Sequence, residues 1–148
     1  LALNGDGDYP GFIDIIDEYG STGAGTLAHL YAGISFYKTG QYEDAVDYLD
    51  GFSTSDELLS SVANGCSGDA YVELGEYETA ADYYKKAYEE SENGLTGPLF
   101  LMKYGRVNEE IGNWEEALKA YETIKKEYPD SEEGRSIQKF ITRAEMNL

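Results

Sequence analysis

Few side chains in this 148-residue chain could start chemistry. His29 is its single histidine and Cys66 its single cysteine. A nucleophilic thiol and a base are what a cysteine hydrolase needs, provided the fold brings them within reach. A second candidate is Asn4-Gly5-Asp6-Gly7-Asp8, where side-chain oxygens alternate as they do at the opening of a calcium loop. That loop then requires a glycine and a bidentate glutamate where this chain has Tyr9 and Ile15, so an acidic turn is the better reading. The paired acids Glu109-Glu110 and Glu115-Glu116 read as solvated helix surface. No His, Cys and carboxylate set has metal-ligand spacing. The glycine-rich segments lack the lysine and the preceding strand of a phosphate loop. The residues therefore predict a protein that is not an enzyme and holds no cofactor or metal. A hydrolase using Cys66 and His29 stays as the lesser rival.

What must position these residues is a phrase repeated three times. It reads Gly40-Gln41-Tyr42-Glu43-Asp44-Ala45, Gly75-Glu76-Tyr77-Glu78-Thr79-Ala80 and Gly112-Asn113-Trp114-Glu115-Glu116-Ala117. Seven residues before each leading glycine stands another, at Gly33, Gly68 and Gly105. Four residues after each alanine comes a large side chain, Leu49, Tyr84 or Tyr121. The copies are spaced by 35 and then 37 residues, a period that means stacked supersecondary units. Gly33 has helical neighbours, and a glycine inside a helix costs about 1 kcal/mol against alanine. Such a residue implies a second helix approaching closely, with the alanine of the phrase as the small partner. The leading glycines end the first helix of each pair in the left-handed conformation. The aromatic residue two positions later plugs the joint. Each unit is thus an antiparallel helix pair.

This pattern resembles the tetratricopeptide repeat, a helix-turn-helix unit that stacks into a solenoid. The first copy supplies His29, Ala32-Gly33, Phe36, Gly40-Gln41-Tyr42, Ala45, Leu49 and Phe52. The second supplies Asn64, Ser67-Gly68, Tyr71, Gly75-Glu76-Tyr77, Ala80, Tyr84 and Ala87. The third supplies Leu101, Tyr104-Gly105, Asn108, Gly112-Asn113-Trp114, Ala117, Tyr121, Ile124 and Pro129. The first tryptophan of the motif is missing from every copy, and only the third ends in proline. The resemblance implies an all-α fold, a right-handed α-α superhelix with a C-terminal capping helix. Its units are a remnant helix and loop over 1–25, repeats over about 26–59, 61–94 and 98–129, and a cap over 130–148. Residues 1–9 read as a frayed end. Thr54 to Glu57 has the form of a capping box, and Asp130 and Glu133 can cap a last helix over 131–146.

Binding is the activity that the resemblance implies, on the concave side lined by the first helices. By register the ligand-facing residues are Leu27, Leu30, Ile34, Tyr37 and Lys38, then Val62, Gly65, Asp69, Val72 and Glu73, then Leu99, Met102, Arg106, Glu109 and Glu110. Such a groove suits an extended peptide or an amphipathic helix of a protein partner. Lys38 and Arg106 alone do not rebuild the basic clamp that some family members use for chaperone C-termini. A self-associating spacer, a homo-oligomer built on the same surface, is the alternative.

Charge narrows the partners further. The formal net charge is −18. Residues 1–84 hold 16 acids and one base, Lys38. That field repels phosphate backbones, so nucleic acid is excluded as a ligand. No run is long and apolar enough to span a bilayer, so this segment makes no direct membrane contact. Residues 11–22, 27–34 and 128–145 resemble bacterial repeat proteins with one N-terminal membrane anchor, among them ancillary subunits of the secretion translocon. On that resemblance the chain, which starts at Leu1, is a processed or truncated soluble domain on the outer side of the inner membrane. A cytoplasmic location is the alternative.

Overall fold

The computed structural model describes residues 2–7, 10–91 and 95–148. Among them are nine helices and no strands. They are α1 (Phe12–Tyr19), α2 (Gly23–Lys38), α3 (Tyr42–Asp50), α4 (Glu57–Leu74), α5 (Tyr77–Glu89), α6 (Gly97–Glu110), α7 (Trp114–Glu127), α8 (Glu132–Ser136) and α9 (Gln138–Glu145). Each of the first seven packs on its neighbours in sequence, and α9 packs on α7. Contacts are therefore local and repeat along the chain, as in a right-handed solenoid of helix pairs.

The repeated phrase explains why each pair closes the same way. Gly40, Gly75 and Gly112 have φ of 77°, 77° and 76°, the left-handed region that favours glycine. The amides of Gly40 and Gln41 donate to Tyr37 O and Phe36 O, both at 3.0 Å. Gly75 and Glu76 repeat this with Val72 O and Tyr71 O, and Gly112 and Asn113 with Glu109 O and Asn108 O. Three identical Schellman closures thus set the three hairpins.

The in-helix glycines do a different job from the one expected. A Cβ on Gly33 would lie 2.5 Å from Leu49 Cγ, on Gly68 2.6 Å from Tyr84 Cε1, and on Gly105 2.4 Å from Tyr121 Cε1. Each glycine is the seat of the large residue four positions after the alanine. The close approach is small against large, and the alanines fill the core beside it, Ala45, Ala80 and Ala117 each fully buried. The core continues from pair to pair because tyrosines are shared. Tyr71 packs on both a first cluster, around Phe36 and Val46, and a second, around Tyr84 and Phe100, and Tyr88 and Tyr104 on the second and on a third, around Leu101 and Tyr121.

The ends differ from the sequence expectation. Residues 2–7 are not a frayed end: Ala2 O and Leu3 O accept from the first amides of α1, Phe12 and Ile13, at 2.9 and 3.1 Å. Gly11 permits this, since a Cβ there would lie 2.2 Å from Leu3 O. Asp8 of the acidic run lies outside the described residues. Helix α4 is capped by Asp56, whose Oδ1 accepts from Leu59 N at 2.9 Å, while Thr54 Oγ1 accepts from Asp56 N. The last helix is two helices in sequence, with Ser131 and not Asp130 as N-cap. Its apolar face packs on the last repeat, with Ile137, Ile141 and Ala144 buried and Phe140 half-buried on Tyr121.

Candidate functional site

The expected inner face is carried by α2, α4 and α6, and several of the residues read from register lie near one another across those helices. Tyr37 of α2 lies close enough to Asp69 and Glu73 of α4 for both carboxylates to raise its phenol, after burial as the main cause. Cys66 sits under the same cluster. Burial pushes its thiol up, Asp69 adds to that, and Lys103 and Lys38 only partly oppose it. A thiol so placed is kept protonated and is a poor nucleophile. His29 is elsewhere: a Cβ on Gly51 would lie 2.5 Å from its Nδ1, and its ring is 6.0 Å from that of Tyr48. The imidazole therefore fills a packing slot beside α3.

Asp69 is not an open acid. Lys103 Nζ of α6 reaches its two oxygens at 2.6 and 2.7 Å, and Tyr84 Oη of α5 donates to Oδ1 at 2.6 Å. Tyr84 is itself buried on Gly68, so one carboxylate joins three helices under the groove. Glu109 is likewise engaged: Arg143 of α9 donates to both its oxygens, at 3.1 and 2.5 Å. Both ion pairs span 34 residues; the first ties the second repeat to the third and the other ties the third to the cap. Leu30 is a correction. It is 2% exposed, packed with Leu49 and Ala63, and offers no groove surface, because its helix turn faces α3 and α4. Met102 is half-buried against the third cluster.

What stays open on the inner face is a short set. Lys38, Glu73, Arg106 and Glu110 are exposed, and among the described residues none has an ion-pair partner. Leu27 and Leu99 are exposed, and Ile34 and Val62 half-buried. Between α4, α5 and α6 lies a depression of about 400 Å³ lined by Val72, Tyr77, Tyr84 and Val107, with Lys103, Arg106 and Glu110 at its rim. Lys103, Tyr77 and Val107 were missed by register. Lys103 stands one helical turn before Arg106, the register equivalent of Asp69, so spacing alone did not point to it. No group of His, Cys, Asp and Glu able to hold a metal ion, and no helix long and apolar enough to cross a membrane, occurs among the described residues.

Replacing Asp69 should expose its importance to the fold. Asp69→Ala leaves a buried phenol and a part-buried ammonium without their acceptor, an expected loss of about 2–3 kcal/mol. Lys103→Met keeps the Tyr84 bond and should cost under about 1 kcal/mol, since the pair is partly solvated. Urea unfolding of both and of the double variant decides this; equal losses would mean the lysine, not the phenol, carries the effect.

Two family profiles, each described as tetratricopeptide repeat, match residues 27–54 and 67–132. No curated protein sequence matches the chain. Among solved structures, a crystal structure of MamA superposes with a TM-score of 0.68 at 19% identity, covering 92% of this chain and 84% of that one. A second MamA structure gives 0.67 at 18%, covering 92% and 76%. The first TPR of Spaghetti (RPAP3), bound to HSP90 peptide SRMEEVD, gives 0.63 at 21%, covering 82% and 95%. The two profile matches show that the chain belongs to the tetratricopeptide repeat family, and three hairpins closed alike agree with it.

Proposed function

We propose that this protein is a protein-protein interaction module whose inner face takes an extended or helical segment of a partner, with repeat units at about 26–59, 61–94 and 98–129. The observation that carries the reading is the set of groups the fold leaves unused there. A structural spacer has no need to hold Arg106 and Glu110 open at a depression, and Lys38 and Glu73 open elsewhere on the first helices, while it pairs Asp69 and Glu109. Of the residues read from register, Leu27, Ile34, Tyr37, Lys38, Val62, Glu73 and Arg106 carry surface for such a ligand, and Asp69, Glu109 and Met102 support it from beneath. That a similar fold is seen with a bound peptide agrees with this use of the face. Catalysis has no support from Cys66, whose thiol is held protonated and whose charged neighbours are Asp69, Lys103 and Lys38. The resemblance to anchored envelope proteins would place the partners among envelope or secreted proteins; a cytoplasmic partner would set that aside.

Photo-crosslinking tests the reading. Probes replace Ile34 and Arg106 on the inner face and Lys119 on α7 as control. One discrete adduct is expected from 34 and 106, absent at 119, with the adduct at 34 lost when Arg106→Glu is added. Adducts only to a second copy of the chain would establish the self-associating spacer, and none above the control would remove the groove.

A further inference from the structure

Eight large apolar residues are exposed among the described residues, and three of them fall at matching places in the fold. Leu27, Leu58 and Leu99 are 39%, 45% and 39% exposed, and each lies in the N-terminal third of the first helix of a pair. Leu27, Val62 and Leu99 hold the same register position in the three repeats, counted from Gly33, Gly68 and Gly105. Leu58 stands four residues before Val62, so the two share one stripe of α4 that continues to Asp69 and Glu73. The result is an apolar strip across the N-terminal ends of α2, α4 and α6. From Leu99 to Arg106 is seven residues, about 10 Å of helix, so the strip is set apart from the open cations.

Near Leu58 the surface is acidic. Beside Leu58, a depression of about 250 Å³ is lined by Thr54, Ser55, Asp56, Glu57, Ser60, Glu89 and Glu90. Glu90 accepts from Ser60 and Asn64, while Asp56, Glu57 and Glu89 are exposed and have no ion-pair partner among the described residues. Lys86 lies over the ring of Tyr83. An anionic segment laid on this strip would meet uncompensated repulsion, and a cationic one would be steered to it.

We propose that this strip seats a basic amphipathic segment of the partner protein. Its apolar side chains cover Leu58, Val62 and Leu99, and its lysines or arginines face Asp56, Glu57 and Glu89. The inference rests on the interaction-module reading and adds the sign and position of the ligand to it.

Three synthetic helical peptides test it by fluorescence anisotropy at about 0.15 M salt. One has a leucine stripe with lysines elsewhere. The second replaces the lysines by glutamate, and the third keeps the lysines but replaces leucine by serine. The leucine-lysine peptide is expected to bind at least about tenfold tighter than either of the others, and Leu58→Ser with Leu99→Ser to remove that advantage. Both substitutions are at exposed sites, and unchanged helical circular dichroism shows that the fold is kept. Equal binding of the leucine and serine peptides means bulk charge alone and overturns the proposal. Tighter binding of the glutamate peptide, lost on Arg106→Glu but kept on Leu58→Ser, overturns it and keeps the interaction module. Binding of none of them, with no inner-face crosslink, removes both.

Discussion

Gly105→Ala is expected to destabilise the protein by about 2–3 kcal/mol, a large loss for one methyl group on a helix that gains in propensity from the change. The methyl carbon would stand 2.4, 2.8 and 3.0 Å from Cε1, Cζ and Cδ1 of Tyr121. That ring is fully buried, packed with Phe140 at 5.5 Å between centroids, and has nowhere to turn. Gly33→Ala is the informative contrast. There the methyl meets Leu49 Cγ at 2.5 Å and Cδ2 at 2.9 Å, and a leucine has other rotamers to adopt. Only Ala45 O, at 3.1 Å, stays in place, so about half the loss is expected. Urea unfolding of both variants gives the comparison. Pairing Gly105→Ala with Tyr121→Leu should recover at least about 1 kcal/mol of the summed losses. A loss below about 0.5 kcal/mol for Gly105→Ala would mean the ring shifts freely and the seat is not tight.

The fold was legible because its signals are local and said three times. A glycine with left-handed φ, an aromatic residue after it and an alanine at fixed spacing each act within one hairpin, and repetition rules out chance. The seat of Tyr121 on Gly105 was read less well. Spacing shows that a glycine is needed, but which side chain lies over it depends on the angle between two helices. The ends were misread for a related reason. Ala2 and Leu3 are held by α1 amides through their carbonyls, and a backbone contact leaves no mark in residue type.

The inner face was legible in outline and not in state. Register placed Asp69, Glu109 and Leu30 on the groove. Only the packing of neighbouring helices decides that Lys103 of the next repeat neutralises the first, that Arg143 of the cap engages the second, and that Leu49 of the same repeat and Ala63 of the next bury the third. Pairings across 34 residues are a property of stacking, which one repeat cannot state. A register argument therefore finds the face, and the packing of the next repeat decides which of its charges remain for a ligand.

Above about pH 10 the stability is expected to fall steeply, and the buried tyrosines set the sign. Burial raises Tyr84, with the Asp69 carboxylate adding to it, and raises Tyr121, beside Glu109. Tyr83 is raised as well, and Tyr104 is pushed up to about 12, both mainly by burial. A phenol whose folded value lies above its unfolded value stays neutral in the fold while the unfolded chain ionises. Its contribution is whole below the unfolded value near 10 and is lost progressively as pH rises beyond it. Each phenol that stays neutral costs about 1.4 kcal/mol per pH unit, so Tyr84 and Tyr121 together remove about 3 kcal/mol per unit. Tyr83 and Tyr104 are only half-buried, and water screens their share. Against a total of about 5–15 kcal/mol, unfolding near pH 12 follows. Two substitutions separate this from the deprotonation of lysines. The Tyr121 hydroxyl is buried beside Glu109 and Arg143 and makes no hydrogen bond of regular geometry among the described residues, so Tyr121→Phe should cost little at about pH 8 and flatten the slope by about 1.4 kcal/mol per unit. Tyr84→Phe loses its bond to Asp69, about 1–2 kcal/mol at about pH 8, and should flatten the slope by as much. Urea midpoints between about pH 8 and 11 give both slopes. If neither variant differs from the parent in slope, these phenols ionise inside the fold, and the packing drawn around Gly68 and Gly105 is looser than their contacts require.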